Sequence, residues 1–454
     1  MSTVFPTRRE ILMATAADGL ATAGGEVGRQ AAIRRTVSFV AALVLGICGG
    51  ILLRPSAGHA QSAPDQNQFM LGADISALDS GSGRGRAFNF QENGVPDTEY
   101  AIMMKHGWKT FRLRVFVDPV RGRAPNNSLA NTISLAKAIK ASGAKFLLDI
   151  HYSDTWADPQ HQEIPLPWQD IDAAGANQQL DDQAFRTLLS SYGKWTPEHI
   201  ESDTAALEKR VEAYSIDVIK QLKIAGAMPD MVQVGNEITG GTLWPLGHLR
   251  VPPSGVKLDA GRIQPLPDPY NEDLQWNHLI RFVKAGTRGV RTGAGDSPVQ
   301  IVIHIDCAGD WPITKWFFDH LTAANVDYDI IGQSFYPQYH GTLAQLQQNI
   351  LECTNAYHKP FMVAETGYNK IGGARLMTQG PYYKWPGTPE GQRQFLVDLV
   401  NTVKRANGIG VFYWAPERAL WNQDGSPDPG LLLMDHLHDL TTRPASQMPD
   451  PPTP

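Results

Sequence analysis

Eight short apolar runs recur along this chain, and they limit its possible folds more than any other feature. They cover residues 70–75, 110–117, 145–152, 231–237, 300–306, 329–336, 361–368 and 410–416. Each is rich in Val, Ile, Leu or Phe, as a strand covered on both faces must be. Between most of them lie longer stretches with apolar residues at helical spacing, at 129–141, 205–225, 276–291, 314–323, 343–357 and 388–406. Buried strands alternating with amphipathic helices predict an α/β protein, a (β/α)8 TIM barrel. No repeat and no long linker interrupts it, so residues 61–443 are expected to form one catalytic barrel domain. The Pro-rich stretch 444–454 is expected to be a mobile tail.

The first sixty residues differ in kind. Arg34 and Arg35 precede an apolar run at 37–53, and small residues follow, with Gly58-His59-Ala60 as a cleavage site. That order is the pattern of a secretory signal peptide. Thr7-Arg8-Arg9 also resembles a twin-arginine motif, although acidic residues rather than an apolar run follow it. The expectation is an exported protein, secreted or periplasmic, with no stable membrane association after cleavage. The formal net charge is −6, and residues 1–60 hold six arginines against three acids, so the remainder is more acidic still. With no basic block in the body, nucleic acid is excluded as a partner. Beyond the leader only Cys307 and Cys353 remain, which leaves pairing or two buried thiols open. No metal-type Cys/His spacing is present, and neither a metal nor a cofactor is expected.

Two of the apolar runs end in a carboxylate. One closes as Val234-Gly235-Asn236-Glu237 and another as Val363-Ala364-Glu365. Paired carboxylates are what glycosidic hydrolysis needs: one protonates the leaving oxygen, and the other attacks or activates water. A parallel barrel brings distant strand ends to one mouth. Glu365 is flanked by apolar residues and would be costly to bury without a partner. The second run supplies one, in Phe111-Arg112-Leu113-Arg114-Val115, with both arginines on one strand face. A guanidinium beside Glu365 would keep it ready to attack. The plain alternative for either arginine is a structural ion pair.

The other strand ends carry polar and aromatic groups. They are His151 with Asp154 and Trp156, His304 with Asp306, Tyr336 with His340, and Tyr413-Trp414. Each alone is ambiguous. Together they suit a sugar, whose hydroxyls need hydrogen bonds and whose CH faces pack on rings. Trp168, Trp244, Trp311 and Trp385 are further platform candidates. Three long connections, at 153–195, 239–269 and 369–386, follow strand carboxyl ends, where barrel enzymes build their sites.

The motifs then resemble a known family. Gly72-Ala73-Asp74-Ile75-Ser76, Arg112-Leu113-Arg114-Val115, Gln233-Val234-Gly235-Asn236-Glu237, Ser334-Phe335-Tyr336-Pro337, His340-Gly341 and Ala364-Glu365-Thr366 occur in the order of the arabinogalactan endo-β-1,4-galactanases, glycoside hydrolase family fifty-three of clan A. The segment His151-Tyr152-Ser153-Asp154-Thr155-Trp156-Ala157-Asp158-Pro159 is highly specific to them. The resemblance covers about residues 70–420. It implies a retaining endo-hydrolase of the β-1,4-galactan side chains of pectin, with Glu237 as acid/base and Glu365 as nucleophile. Asn236, Arg112, His151, Asp154, Trp156, Trp244, His304, Tyr336, His340 and Trp414 then become substrate-binding or supporting residues, in a protein expected to act as a monomer. Three departures stand out. Ala415 replaces a frequent Glu, Gln338-Tyr339 replaces a more usual aromatic pair, and the stretch after Glu365 lacks an acidic calcium-binding pattern. Alternative readings are another retaining clan A endoglycanase, acting on mannan or rhamnogalacturonan, and a carbohydrate-binding protein without turnover.

Overall fold

A computed structural model describes residues 69–78, 89–122, 124–169, 182–253, 265–368, 385–422, 424–427 and 431. The leader at 1–60, the tail at 444–454 and the stretch expected to bear on calcium, 369–384, lie outside them. Eight parallel strands form a closed barrel. They are β1 (Met70–Asp74), β2 (Thr110–Val115), β3 (Lys145–Ile150), β4 (Met231–Val234), β5 (Gln300–Ile305), β6 (Ile330–Ser334), β7 (Phe361–Thr366) and β8 (Gly410–Trp414). Each pairs with its neighbours in sequence, and β8 pairs with β1 to close the ring.

Among the described residues, each connection between successive strands carries a main crossing helix. These helices are α1 (Glu99–Lys105), α2 (Leu129–Ala141), α3 (Pro197–Ile224), α4 (Glu272–Ala294), α5 (Trp311–Ala323), α6 (Leu343–Tyr357) and α7 (Pro389–Arg405). Their starts are chemically marked. Ser128 and Thr388 each accept a hydrogen bond from a first-turn amide, and Thr342 with Gln345 forms a reciprocal capping box. Helices α3 and α4 pack closely where Gly289 meets α3, since a Cβ there would lie 2.6 Å from the Glu212 carbonyl oxygen. The predicted helix at 276–291 falls inside a longer observed one, and the one at 205–225 starts eight residues late and runs one residue past the observed end.

Strand parity places the site. Side chains alternate across a strand, so residues two apart share a face. On the inner face a lower layer is apolar: Leu147, Met231, Val302, Ile330, Met362, Ala364 and Phe412 form one buried cluster. The alternate strand residues, such as Phe111, Leu113, Phe146, Leu148, Val232 and Ile303, belong instead to the larger core. Two positions above the inner apolar layer, the same faces carry Asp149, Gln233 and His304, with Arg112 beside them on β2 and Ser334 four positions above Ile330 on β6. The barrel is therefore plugged by hydrocarbon below and floored by polar groups above.

Strand β7 breaks this parity. Met362 and Ala364 face inward, so simple alternation would turn Glu365 outward. The pairing with β6 slips instead: Gln333 faces Val363, but the next residue, Ser334, faces Glu365. This extra residue is a β-bulge, which re-aims a side chain. It brings Glu365 onto the inner face directly after Ala364.

Candidate active site

The chain leaves β4 through a strained turn. Gly235 has φ +81°, and a Cβ there would sit 2.7 Å from the Ile238 side chain. Only glycine fits such a place without a shift. Two residues on, Glu237 itself is left-handed, at φ 48° and ψ 49°. That conformation is unfavourable for a non-glycine residue and is held only where its surroundings over-determine it. It directs the carboxyl toward the end of β6, where Ser334 Oγ lies 2.6 Å from Glu237 Oε1. Because Ser334 is the register partner of Glu365, the two glutamates are brought beside one residue.

Arg112 lies at the centre of the floor and is fully buried. Its Nη1 donates to Asp74 Oδ2 at 2.8 Å and Glu365 Oε2 at 3.2 Å. Its Nη2 donates to Asp149 Oδ2 at 2.6 Å, to Asn236 Oδ1 at 2.7 Å and, more weakly, to Gln233 Oε1 at 3.3 Å. One fork thus joins β2 to β1, β3, β7 and the end of β4. Burial works against its charge, but Asp149, Asp74, Glu365 and Glu237 outweigh it and raise its pKa. Burial likewise opposes the Asp149 charge, yet Arg112 and His151 hold its carboxyl below the usual range. Arg114 approaches Asp74 as well, at 3.7 Å. Three carboxyl groups gather around two guanidiniums in the floor, an arrangement that suits positive charge developing on a sugar ring.

The two glutamates differ in their partners. Glu365 takes a guanidinium on Oε2 and the Tyr336 phenol on Oε1, at 2.7 Å. Both are donors, as a nucleophilic carboxylate requires. Glu237 meets the neutral Ser334 hydroxyl, which is compatible with gaining and losing a proton.

The remaining predicted residues fall into two groups. Asn236, His304 and His151 lie in the polar floor. His151 Nε2 is 2.8 Å from Asp149 Oδ2, and its Nδ1 accepts the Ala157 amide at 2.9 Å. Tyr336 and His340 are linked locally, the Tyr336 amide donating to His340 Nδ1 at 3.0 Å. Trp156 is 39% exposed, edge-on to Phe116, with the Arg114 guanidinium 5.6 Å from its ring. It presents an open ring beside the floor. Trp414 is half-buried at the end of β8, paired in register with Asp74.

Asp154 and Trp244 hold loops. The Asp154 carboxylate accepts the amides of Asp118 and Leu166, each at 2.8 Å, and burial pushes its pKa up to about 6. Trp244 is 2% exposed, stacked on His248 at 3.8 Å, with its indole N–H donating to the Gly240 carbonyl. Its faces are covered by protein. Ala415, at the family's frequent Glu position, is buried and left-handed at φ 51°. Cys307 and Cys353 are separate buried thiols. Among the described residues no cluster of three or more His, Cys, Asp or Glu could hold a metal ion, and no helix is long and apolar enough to cross a membrane.

Sequence reasoning gave no role to Asp74, Asp149, Gln233 or Ser334. A signal was available: polar residues at alternate positions of otherwise apolar strands, as in Met231-Val232-Gln233-Val234.

Comparisons with known proteins agree with this geometry. The chain is 34% identical over 361 residues to a Niallia circulans protein described as "Uncharacterized protein in bgaB 5'region", covering 77% of this chain and 84% of that one. It is 28% identical over 338 residues to the arabinogalactan endo-beta-1,4-galactanase of Thermothelomyces thermophilus, covering 71% and 82%. Among solved structures, a fungal beta-1,4-galactanase superposes with a TM-score of 0.61 at 25% identity, over 81% of this chain and 99% of that one. The glycosyl hydrolase family 53 model matches residues 70–191 and 194–433. With a closed parallel barrel, two glutamates sharing Ser334 as a neighbour and a match along almost the whole barrel, the chain belongs to glycosyl hydrolase family 53.

Proposed function

We propose that this chain is a retaining endo-β-1,4-galactanase, with Glu365 as nucleophile and Glu237 as acid/base. The observation that carries the assignment of roles is the unequal dress of the two carboxylates. Glu365 is gripped by two donors, Arg112 and Tyr336, whereas Glu237 faces a hydroxyl. The galactanases among its relatives support galactan as the substrate.

In the first step Glu365 attacks the anomeric carbon while Glu237 protonates the leaving glycosidic oxygen. The carbon–oxygen bond breaks and a glycosyl ester on Glu365 forms. In the second step Glu237 takes a proton from water, whose oxygen displaces Glu365 at the same carbon. Two inversions give net retention. Asn236, beside the acid/base, is a candidate for a sugar hydroxyl, and Trp156 offers a ring for a sugar face. We further infer a protein exported through the leader at 1–60 and acting as a monomer on a polysaccharide outside the cytoplasm, without membrane attachment after cleavage.

Reducing-end release from galactan, arabinogalactan and mannan by wild type and by Glu237→Ala tests the reading. Galactan cleavage by wild type, lost in the variant, supports it. Preference for mannan would replace the substrate, and binding without release would replace the enzyme.

A further inference from the structure

We propose that Ser334 and His304 are positioning residues that hold a proton on Glu237 in the free enzyme. The proposal rests on the reading of Glu237 as acid/base, and it follows from assigning each hydrogen in a buried chain, Asn236–His304–Ser334–Glu237. The Asn236 amide is oriented by its Nδ2, which donates to the Ala157 carbonyl at 2.8 Å. Its Oδ1 points the other way, accepts from Arg112, and cannot donate. His304 Nδ1 lies 3.0 Å from that oxygen, so Nδ1 carries a hydrogen.

The His304 ring is buried and faces Arg112, and both disfavour a second proton. A neutral ring with its hydrogen on Nδ1 leaves Nε2 a bare acceptor. Ser334 Oγ is 3.0 Å from Nε2 and directs its one hydrogen there. The same oxygen is 2.6 Å from Glu237 Oε1. With its hydrogen committed to His304, Ser334 accepts on that side, and Glu237 Oε1 must be the donor. A competing arrangement lets the Glu237 amide donate to Nδ1, but at 3.4 Å, and it sets the Nδ1 lone pair against Asn236 Oδ1 at 3.0 Å. The shorter contact decides between them.

The chain therefore holds one mobile proton with two possible ends. On His304 it would be buried and would face Arg112 from β2, with His151 and His340 nearby and Asp149 attracting it. On Glu237 it meets a neutral acceptor, and Arg112 is again the facing cation. The first end is disfavoured by burial and by Arg112, so the proton rests on Glu237. A half-turn of the carboxyl exchanges its two oxygens and presents that hydrogen to the glycosidic oxygen. Once it has left, Ser334 can turn its hydrogen to the new carboxylate only by stripping His304 Nε2 of its donor, so it supports the charged form less than the acid. The carboxylate regains its proton from water in the second step.

The direction of a pH shift distinguishes this chain from ordinary support. Removing a group that accepts from Glu237 lowers the pKa of the acid, whereas removing one that donates to its carboxylate raises it. In Ser334→Ala the alkaline limb of kcat/KM on galactan is expected to move to lower pH by about one unit. Ser334→Thr, which keeps the hydroxyl, is expected to restore it. An upward shift or an unmoved limb in Ser334→Ala overturns the proposal. Nitrogen NMR of wild type with labelled histidine gives a second test. His304 should show a protonated Nδ1 and a bare Nε2, and an imidazolium or an Nε2–H tautomer overturns the proposal. Glu237→Ala separates the underlying reading. It should lose galactan hydrolysis but still release about one equivalent of dinitrophenolate in a burst from a dinitrophenyl glycoside of galactobiose, whose departure needs no proton, before slow hydrolysis of the glycosyl-enzyme. Retention of both activities would remove Glu237 as the acid, leaving the NMR result to judge the chain alone.

Discussion

Arg112 and Glu365 meet across the barrel floor, Nη1 to Oε2 at 3.2 Å, although 253 positions separate them in sequence. The contact is one branch of a fork whose other branches reach Asp74, Asp149 and Asn236. Positioning of Glu365 and closure of the barrel mouth therefore depend on the same side chain.

Arg112→Met should destabilise the protein by roughly 3–5 kcal/mol, because it leaves Asp149 and Glu365 buried without their guanidinium and Asp74 with the longer Arg114 contact. Arg112→Lys keeps the charge but not the fork, so it should lose more activity than stability. Thermal unfolding beside kcat measurements checks both, and a Met variant as stable as wild type would contradict the structural half of the argument.

Tyr336→Phe removes the donor on Glu365 Oε1 while leaving Arg112 on Oε2. A hydrogen bond to a charged group contributes about 1.5–3 kcal/mol. The expected loss in kcat is roughly 10- to 150-fold, with KM little changed. A change confined to KM would place Tyr336 with the substrate instead.

Glu365→Gln should reduce galactan turnover to background, since an amide cannot form the glycosyl ester. In wild type, proton NMR of the first product should show the β anomer forming before mutarotation. An α anomer would mean direct attack by water and a wider carboxyl separation.

Trp156→Ala should raise KM roughly 5- to 10-fold with kcat near wild type, as expected when an exposed ring supplies stacking alone. The same change at Trp244 should act on stability, because both faces of that ring are covered by protein. Steady-state kinetics and unfolding of the two variants separate the roles.

His248 carries a pH dependence. Burial pushes its pKa from 6.5 down to about 3. The folded state resists a proton that the unfolded chain accepts, so its contribution is complete above pH 6.5 and is lost as pH falls toward 3. At pH 5 the loss should be roughly 2 kcal/mol. His248→Gln should flatten that part of the stability curve, seen in denaturant unfolding at pH 7 and pH 5.

Much of this was legible in the amino-acid order. All eight strands and six of the crossing helices lie where periodicity places them, because strands packed on both faces leave an unmistakable apolar run. Their ends were read too long. The run at 231–237 reads through to Glu237, but the strand stops at Val234, where Gly235 turns the chain at positive φ. Arg112 was expected to partner Glu365, and it does, yet its larger commitment to Asp74 and Asp149 depends on which strand ends share a layer. That is a matter of register, which no single run reveals. Trp156 and Trp244 read alike in sequence. One is an open ring and the other is sealed beneath His248, a difference set by how the loops fold back.

The bulge in β7 has a consequence for how such an enzyme can change. Whether Glu365 looks into the barrel or out toward the helices depends on one supernumerary residue in the ladder, not on the identity of any neighbour. Substitutions along Phe361–Thr366 that keep the count can drift without moving Glu365. Removal of a single residue would rotate it out of the mouth and leave an intact barrel with no chemistry. The placing of Glu365 is in this sense encoded as a length, and the segment should accept point changes far more readily than any change in its number of residues.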